Sequence, residues 1–539
     1  MPPGEQSSAK RAKVEHVATL VAVVLCVGFA VTSHVRCHVL AVTPDSAYYS
    51  IVARNLVRGD GYKTSFVLYH LAWYDSADHV PDLHGILQPF LLALGYSVAR
   101  SEESWVYMKV GIVLLSLTGF VTYELGRFLF SWQVGLLACG LTLLSPQLFL
   151  TMIAGADDLG FVMFITMFIY SYLRGLQCDQ SGWLALAGIA GGLAVLQKFL
   201  GVVLVTMAVP VLVVSRAPRM LRRVAQSAIV CLPVMLAICA YFARNAAVYG
   251  EWQFRSSVHM RVLIDHGEEA ACALLQDPNL PGMLARSSGD LIWAISAGTV
   301  SAFMPSFWTD PYLLLLGWPA GVLIARSILL AILVVAGIIA AVRSRPNLAW
   351  TWILLACLSA GLVKVAWHYE ARYFSMLIPI TLVLFIGFFH DLWRSLHDRR
   401  SKLALFVIVC SLVGIAAPIL SWPRLAATAC LSSSGVQPWC RDTLSWLSKN
   451  TPDEAVVLTS DPTAVALNAG RRAVMLPAGG TGAIREVIKH YGVTWVLVSH
   501  MPPRPLTSRH LWEFLTAAEA DREFEAGECT AFRIQSRDG

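Results

Sequence analysis

Between Leu20 and about Leu420 the chain is a succession of apolar runs, each close to the ~20 residues that cross a bilayer as a helix. After a first run at 17–36, they fall at about 105–126, 132–150, 159–173, 182–197, 199–215, 224–242, 321–342, 348–366, 373–390 and 403–420. The pattern predicts a polytopic α-helical membrane protein of about 11–13 spans, the range depending on whether 289–310 is re-entrant or part of an extra pair. A shorter apolar piece, 84–99, is read as a juxtamembrane or re-entrant helix. Past residue 436 the periodicity changes. A polar helix at 441–449 precedes a strand at 455–459, a helix from Pro462, a strand at 473–476, a Gly-Gly turn, a helix at 483–491 and a strand at 494–499. Two short strands near Phe524 and at 531–534 complete a soluble α/β domain with a mainly parallel sheet.

The expected organisation is an N-terminus at 1–16, a retained first transmembrane helix at 17–36, and an outer loop with juxtamembrane helices at 37–104. A multi-span domain at 105–420, a linker at 421–436 and an outward-facing α/β domain at 437–539 follow. Composition supports this. The chain is 56% hydrophobic and 14% charged, whereas soluble domains carry about 25% charged residues. The net charge of +6 is spread over loops, with no basic tract interleaved with aromatics, so a nucleic-acid partner is not expected. The twelve cysteines include no CxxC pair; Cys430, Cys440 and Cys529 flank the last domain, where an oxidising compartment would favour a disulfide among them.

Lys10, Arg11 and Lys13 precede the first run, which puts that end inside by the positive-inside rule. Counting each run as one crossing places Arg127, Arg174, the Arg216, Arg219, Arg222, Arg223 cluster, Arg343 and Arg394 on the same inner side. A charge in a span costs roughly 2.5–3.5 kcal/mol on insertion scales, so each exception needs a reason. Asp45, Asp157, Asp158, Lys198, Arg244 and Arg372 are the exceptions, and the same parity places all six outside. Taken singly they have plain structural readings: Lys198 and Arg244 as snorkelling side chains, Asp45 and the Asp157-Asp158 pair as helix caps, Arg372 as a partner of Glu370 or Glu268. Acids and cations gathered on one face instead suit a site that handles an anionic group beside a general base.

The order of short motifs resembles the polytopic GT-C glycosyltransferases that use polyprenyl-phosphate sugars, in particular glycosyltransferase family 39, with its protein O-mannosyltransferases and lipid A aminoarabinose transferases. Pro44-Asp45-Ser46-Ala47-Tyr48, with Gly59-Asp60-Gly61-Tyr62, resembles that family's Asp-bearing loop helix. His84-Gly85-Ile86-Leu87-Gln88-Pro89 resembles a degraded His-Pro-Pro element. Gly191-Gly192-Leu193-Ala194 through Lys198 resembles its Gly-rich helix ending in Lys. Tyr241-Phe242-Ala243-Arg244-Asn245 with Tyr249-Gly250, and Arg372-Tyr373 with Pro379, resemble the remaining elements. Ser46 stands where protein O-mannosyltransferases have a second acid, and the two-proline element is reduced to Pro89.

The resemblance implies an inverting transfer from a polyprenyl-phosphate-linked sugar donor to a hydroxyl acceptor on a glycan, lipid or protein. Asp45 would be the catalytic base. Asp157, Asp158, Tyr48 and His84 would orient acceptor or sugar, and Lys198, Arg244 and Arg372 would bind the donor phosphate. It further implies a multi-pass protein of a bacterial plasma membrane, with site and C-terminal domain outside. The rival reading is a transporter or flippase for a lipid-linked or anionic substrate; the chain shows no internal repeat of the kind such proteins carry. No obligatory cofactor or metal is expected. A divalent metal is nonetheless compatible with Asp60, Asp75, Asp78, Asp82, His70, His79 and His84 of the first loop, although their spacing is not diagnostic.

Overall fold

The structure is a computed structural model, and it describes residues 3–36, 43–68, 74–81, 85–154, 157–198, 201, 220–249, 339, 343, 375–396, 440–477, 480–499, 505–517, 520–527 and 529–534. The expected spans 199–215 (apart from Gly201), 289–310, 321–342 (apart from Ile339), 348–366 and 403–420, and the linker 421–436, lie outside them. In chain order the described elements begin with α1 (Pro3–Arg36), α2 (Pro44–Arg58), β1 (Phe66–Val67), α3 (Leu87–Ala99), α4 (Ser104–Leu129) and α5 (Trp132–Leu143). Next come α6 (Pro146–Ala154), α7 (Asp158–Cys178), α8 (Ser181–Gln197), α9 (Met220–Tyr249) and α10 (Ile378–Leu396). The C-terminal part comprises α11 (Arg441–Asn450), β2 (Val456–Thr459), α12 (Pro462–Ala464), β3 (Arg472–Met475), α13 (Thr481–Tyr491), β4 (Trp495–Ser499), α14 (Pro505–Ala517), β5 (Asp521–Ala526) and β6 (Cys529–Arg533). The chain divides into two compact units, residues 1–39, 108–241 and 293–430 forming the first and 40–107, 242–292 and 431–539 the second.

The membrane part is a helical bundle. Five described helices are long and apolar enough to cross a membrane: Lys13–His34, Trp105–Leu129, Asp158–Cys178, Val224–Tyr249 and Ser375–Arg394. The expected span 132–150 is a pair of helices, α5 and α6, bent by 46°. The break falls at Ser145-Pro146, where the proline ring disfavours helical backbone at the residue before it. α7 is buried nearly all round, whereas α1 turns Val17, Leu20, Val24 and Val31 outward, as a helix facing lipid does. α7 and α8 form an antiparallel pair joined through Asp179, which adopts φ 53. The side of α8 that meets α9 is made of small residues. A Cβ at Gly188 would fall 2.8 Å from the Val230 carbonyl oxygen, and one at Gly192 would fall 2.9 Å from that of Pro233.

In the second unit, α2 is closed by Thr43, whose Oγ1 accepts from the Ser46 backbone while the Ser46 hydroxyl accepts from the Thr43 N–H, a reciprocal capping box. Gly59, at φ 87, ends the helix. α3 buries Gln88, Pro89, Leu92 and Tyr96 and exposes Phe90, Leu94 and Val98 at a four-residue spacing. An apolar stripe left open in this way suits a helix lying against lipid.

The α/β part holds one six-stranded sheet of order β1-β3-β2-β4-β6-β5. β1, β3, β2 and β4 run parallel, with Leu458 opposite Val474 and Val496, and the β6–β5 hairpin adds antiparallel to β4. Leu458, Val474, Ile484, Val487, Val496 and Phe532 form its core with α13 and α14. The predicted strands appear within one residue or two of their expected places; α14 was not anticipated. The edge strand β1 comes from the first loop, with Phe66 opposite Ala473 and Val67 opposite Val474. Further ties bind that loop to the sheet. Arg472 Nε lies 2.6 Å from Asp78 Oδ2, His490 Nε2 meets the Tyr74 carbonyl at 2.8 Å, and Arg54 donates to the Leu467 carbonyl at 3.1 Å. A disulfide joins Cys440, at the head of α11, to Cys529 in β6; Cys430 lies outside the described residues.

Candidate active-site residues in the two units

In the first unit the antiparallel α7–α8 pair sets the start of one helix beside the end of the other. Asp157 occupies the cap position of α7 but its side chain makes no capping hydrogen bond. Its carboxylate instead takes Lys198 Nζ at 3.2 Å, and the same ammonium donates to Asp158 Oδ1. The side chains of both acids are at most 4% exposed and that of Lys198 17%. The bland readings, snorkelling lysine and capping acids, are therefore replaced by a buried ion triad. Gly160 makes room for it: a Cβ there would fall 2.6 Å from Gln197 Nε2, which donates to the Asp157 carbonyl at 2.9 Å. Two carboxylates and one ammonium thus meet within this pair of helices. Such a group can orient hydroxyls through the carboxylates while the lysine supplies a local positive charge.

In the second unit Asp45 sits in the first turn of α2, partly exposed. The cap of that helix is Thr43, which leaves the Asp45 carboxylate to other partners. Acid in a first turn is favoured by the helix dipole. Tyr48 is buried against Tyr49 and Phe66, ring centroids 5.6 and 5.7 Å away, which fixes the ring in place. The Arg244 guanidinium lies 5.3 Å over the Tyr62 ring, and Tyr62 stacks on Phe90 at 5.7 Å. An arginine held over a tyrosine ring is oriented by it.

His84 and Arg372 lie outside the described residues, as do Asp82 and His70. Of the first-loop groups that could have bound a metal, Asp78 is taken by Arg472, and His79 stacks on Tyr74 with centroids 3.7 Å apart. Among the described residues no group of three or more His, Cys, Asp or Glu is arranged to hold a metal ion. Reasoning from sequence alone missed Gln197 and Tyr62. Gln197 carried a signal, a polar residue inside an apolar run beside Lys198; Tyr62 stood at the end of the Gly59-Asp60-Gly61-Tyr62 motif, but nothing along the chain ties it to Arg244, 182 positions away by number.

Residues 83–243 match the model of the family described as dolichyl-phosphate-mannose-protein mannosyltransferase. That segment contains the Asp157, Asp158, Lys198 triad and stops one residue before Arg244. No curated protein sequence matches the chain. Among solved structures, the chain is similar to the archaeal oligosaccharyltransferase AglB from Archaeoglobus fulgidus, in complex with an inhibitory peptide and a dolichol-phosphate. The TM-score is 0.59 at 13% identity, covering 91% of this chain and 70% of that one. It is also similar to arabinofuranosyltransferase AftD from Mycobacteria, with TM-score 0.52 and 13% identity, over 98% of this chain and 42% of that one. The protein is a multi-pass membrane protein with a C-terminal α/β domain, and its fold is similar to that of these two solved structures.

Proposed function

We propose that the protein transfers a sugar from a polyprenyl-phosphate donor to a hydroxyl acceptor on the outer face of the membrane, with inversion. The observation that carries the reading is the buried Asp157, Asp158, Lys198 triad, set by the α7–α8 pair inside the segment that matches the mannosyltransferase family. Asp45 takes the acceptor proton. The acceptor oxygen then forms a bond to the anomeric carbon as the bond from that carbon to the phosphate oxygen breaks, and the bonding pair leaves with the phosphate. Lys198, Arg244 and Arg372 hold that phosphate and offset the charge that grows on it, the electrostatic contribution that usually dominates such steps. Asp157 and Asp158, with Tyr48 and His84, orient the sugar or acceptor, the two acids also fixing Lys198. The outward placement is supported by the Cys440–Cys529 disulfide, a bond that persists in oxidising compartments. Transfer is expected without added metal.

The test is purified protein with a radiolabelled polyprenyl-phosphate sugar and membrane extract, run for the native chain and for Asp45→Asn. Labelled product from the native chain, absent with the variant and insensitive to a chelator, is the expected result. Label that crosses the membrane of a vesicle without changing its chemical form would overturn the reading in favour of transport.

A further inference from the structure

The first unit carries a second set of charges at the other end of α7, away from the triad and unused by the proposed transfer. Asp158 begins that helix and Cys178 ends it; at ~1.5 Å per residue the ends lie about 30 Å apart, the thickness of a hydrocarbon core. At the far end α1, α4, α5, α7 and α10 surround a cavity of ≈ 910 Å³. Its charged lining is Arg127, Arg174 and Arg394 against Glu15 and Glu124, with His390 beside them.

The cavity is built and held. Phe130 rests on Gly387 of α10, where a Cβ would fall 2.3 Å from the ring, so only glycine lets α10 close on the α4–α5 turn. Ser131 Oγ and His390 Nε2, 3.3 Å apart, tie the same elements. Glu124 accepts from Arg127 at 3.1 Å and from the Tyr170 hydroxyl at 3.2 Å, and it lies 3.9 Å from Arg174. Arg127 reaches Glu15 at 3.5 Å, and the Arg174 guanidinium lies 4.6 Å over the Trp183 ring. Two guanidiniums are thus fixed in orientation while about a third of each side chain stays exposed. Arg394 is exposed and has no ion-pair partner among the described residues. Among the described lining residues three guanidiniums stand against two carboxylates, an excess of positive charge.

Pre-oriented guanidinium forks match phosphate oxygens, and the rings of Trp132, Phe128 and Phe130 in the same lining match the start of acyl chains. Basic pockets between transmembrane helices at the membrane surface have the composition that takes lipid phosphates. We propose that this cavity binds the phosphate headgroup of an anionic membrane phospholipid. It lies on the opposite membrane face from Asp157, Asp158 and Lys198, and it does not depend on the transfer chemistry assigned to them.

The full-length protein is reconstituted in nanodiscs of phosphatidylcholine with a minor share of phosphatidylglycerol, and its retained lipids are read by native mass spectrometry after release into mild detergent. The native chain should keep phosphatidylglycerol well above its share. Arg394→Gln, an exposed position whose loss leaves the packing intact, should lower that retention about fivefold, the worth of one arginine beside an anionic lipid. Glu15→Gln, which removes a competing carboxylate, should raise it. Equal retention of the two lipids, unchanged retention in Arg394→Gln, or displacement of the lipid by millimolar inorganic phosphate would each overturn the proposal.

Discussion

The two units treat charge in opposite ways. In the first, ionisable side chains are few, and several of the described ones are tied into groups: the Asp157, Asp158, Lys198 triad at one end of α7, and the Glu124, Arg127, Arg174 set at the other. In the second, charges are frequent and many pairs stand in water. Arg58 with Glu102 and Arg522 with Glu525 keep 29–57% of their side-chain surface exposed. A surface pair contributes little, because water already solvates both partners. A buried group has no such alternative, and removing one member strands the others. The lesson is that the rare charges of the bundle report on the site almost one by one, while in the α/β unit position matters more than number.

Asp45 is the exception that tests this contrast, since it is a partly exposed carboxylate whose loss should cost function and not stability. Asp45→Asn is expected to reduce transfer by about 10²- to 10⁴-fold, the usual worth of a general base, with unfolding temperature and donor binding unchanged; a variant that retains most turnover would remove Asp45 from the chemistry. Lys198→Met should do the reverse. It removes the ammonium that two buried carboxylates share, at a cost of about 3–5 kcal/mol, seen as a loss of folded protein in detergent. Adding Asp158→Asn to that variant should recover part of the loss, and a fully additive double variant would show that the triad is not a unit.

Smaller effects belong to the α/β unit. Cys440→Ser opens a disulfide that spans 89 residues, which is expected to cost about 2–5 kcal/mol and to lower the melting of the soluble unit with little change in that of the bundle. Asp78→Asn removes an ion pair in which both side chains are about 35–41% exposed. It should shift stability by less than about 1 kcal/mol, and denaturant titration that finds several times more would place that pair among the groups that organise the unit.

Much of this architecture is legible along the chain, and the reasons are local. A span is a run of apolar side chains whose backbone must satisfy itself, so α4, α7, α9 and α10 announce themselves by length and hydropathy. The β2-to-β6 alternation is visible because each strand is a short apolar stretch between turns. The six charges worth following were also visible, since charge inside an apolar run is expensive. Their partners were not. Lys198 reads equally well as a snorkelling residue until α8 is folded back on α7, and Asp45 reads as a cap until Thr43 and Ser46 are seen to close the helix between them.

What the sequence by itself determined is therefore the class of molecule, a polytopic bundle with an α/β domain after it, together with the short list of side chains that its lipid solvent makes costly. The tertiary structure decided which of them meet. It paired Cys440 with Cys529, set Arg244 on Tyr62, and joined β1 of the first loop to a sheet whose next strand begins some four hundred residues later along the chain. Hydrophobic periodicity is a property of neighbours along the chain, whereas an ion triad, a cation held on a ring or an edge strand is fixed by groups that only packing brings within a few ångströms.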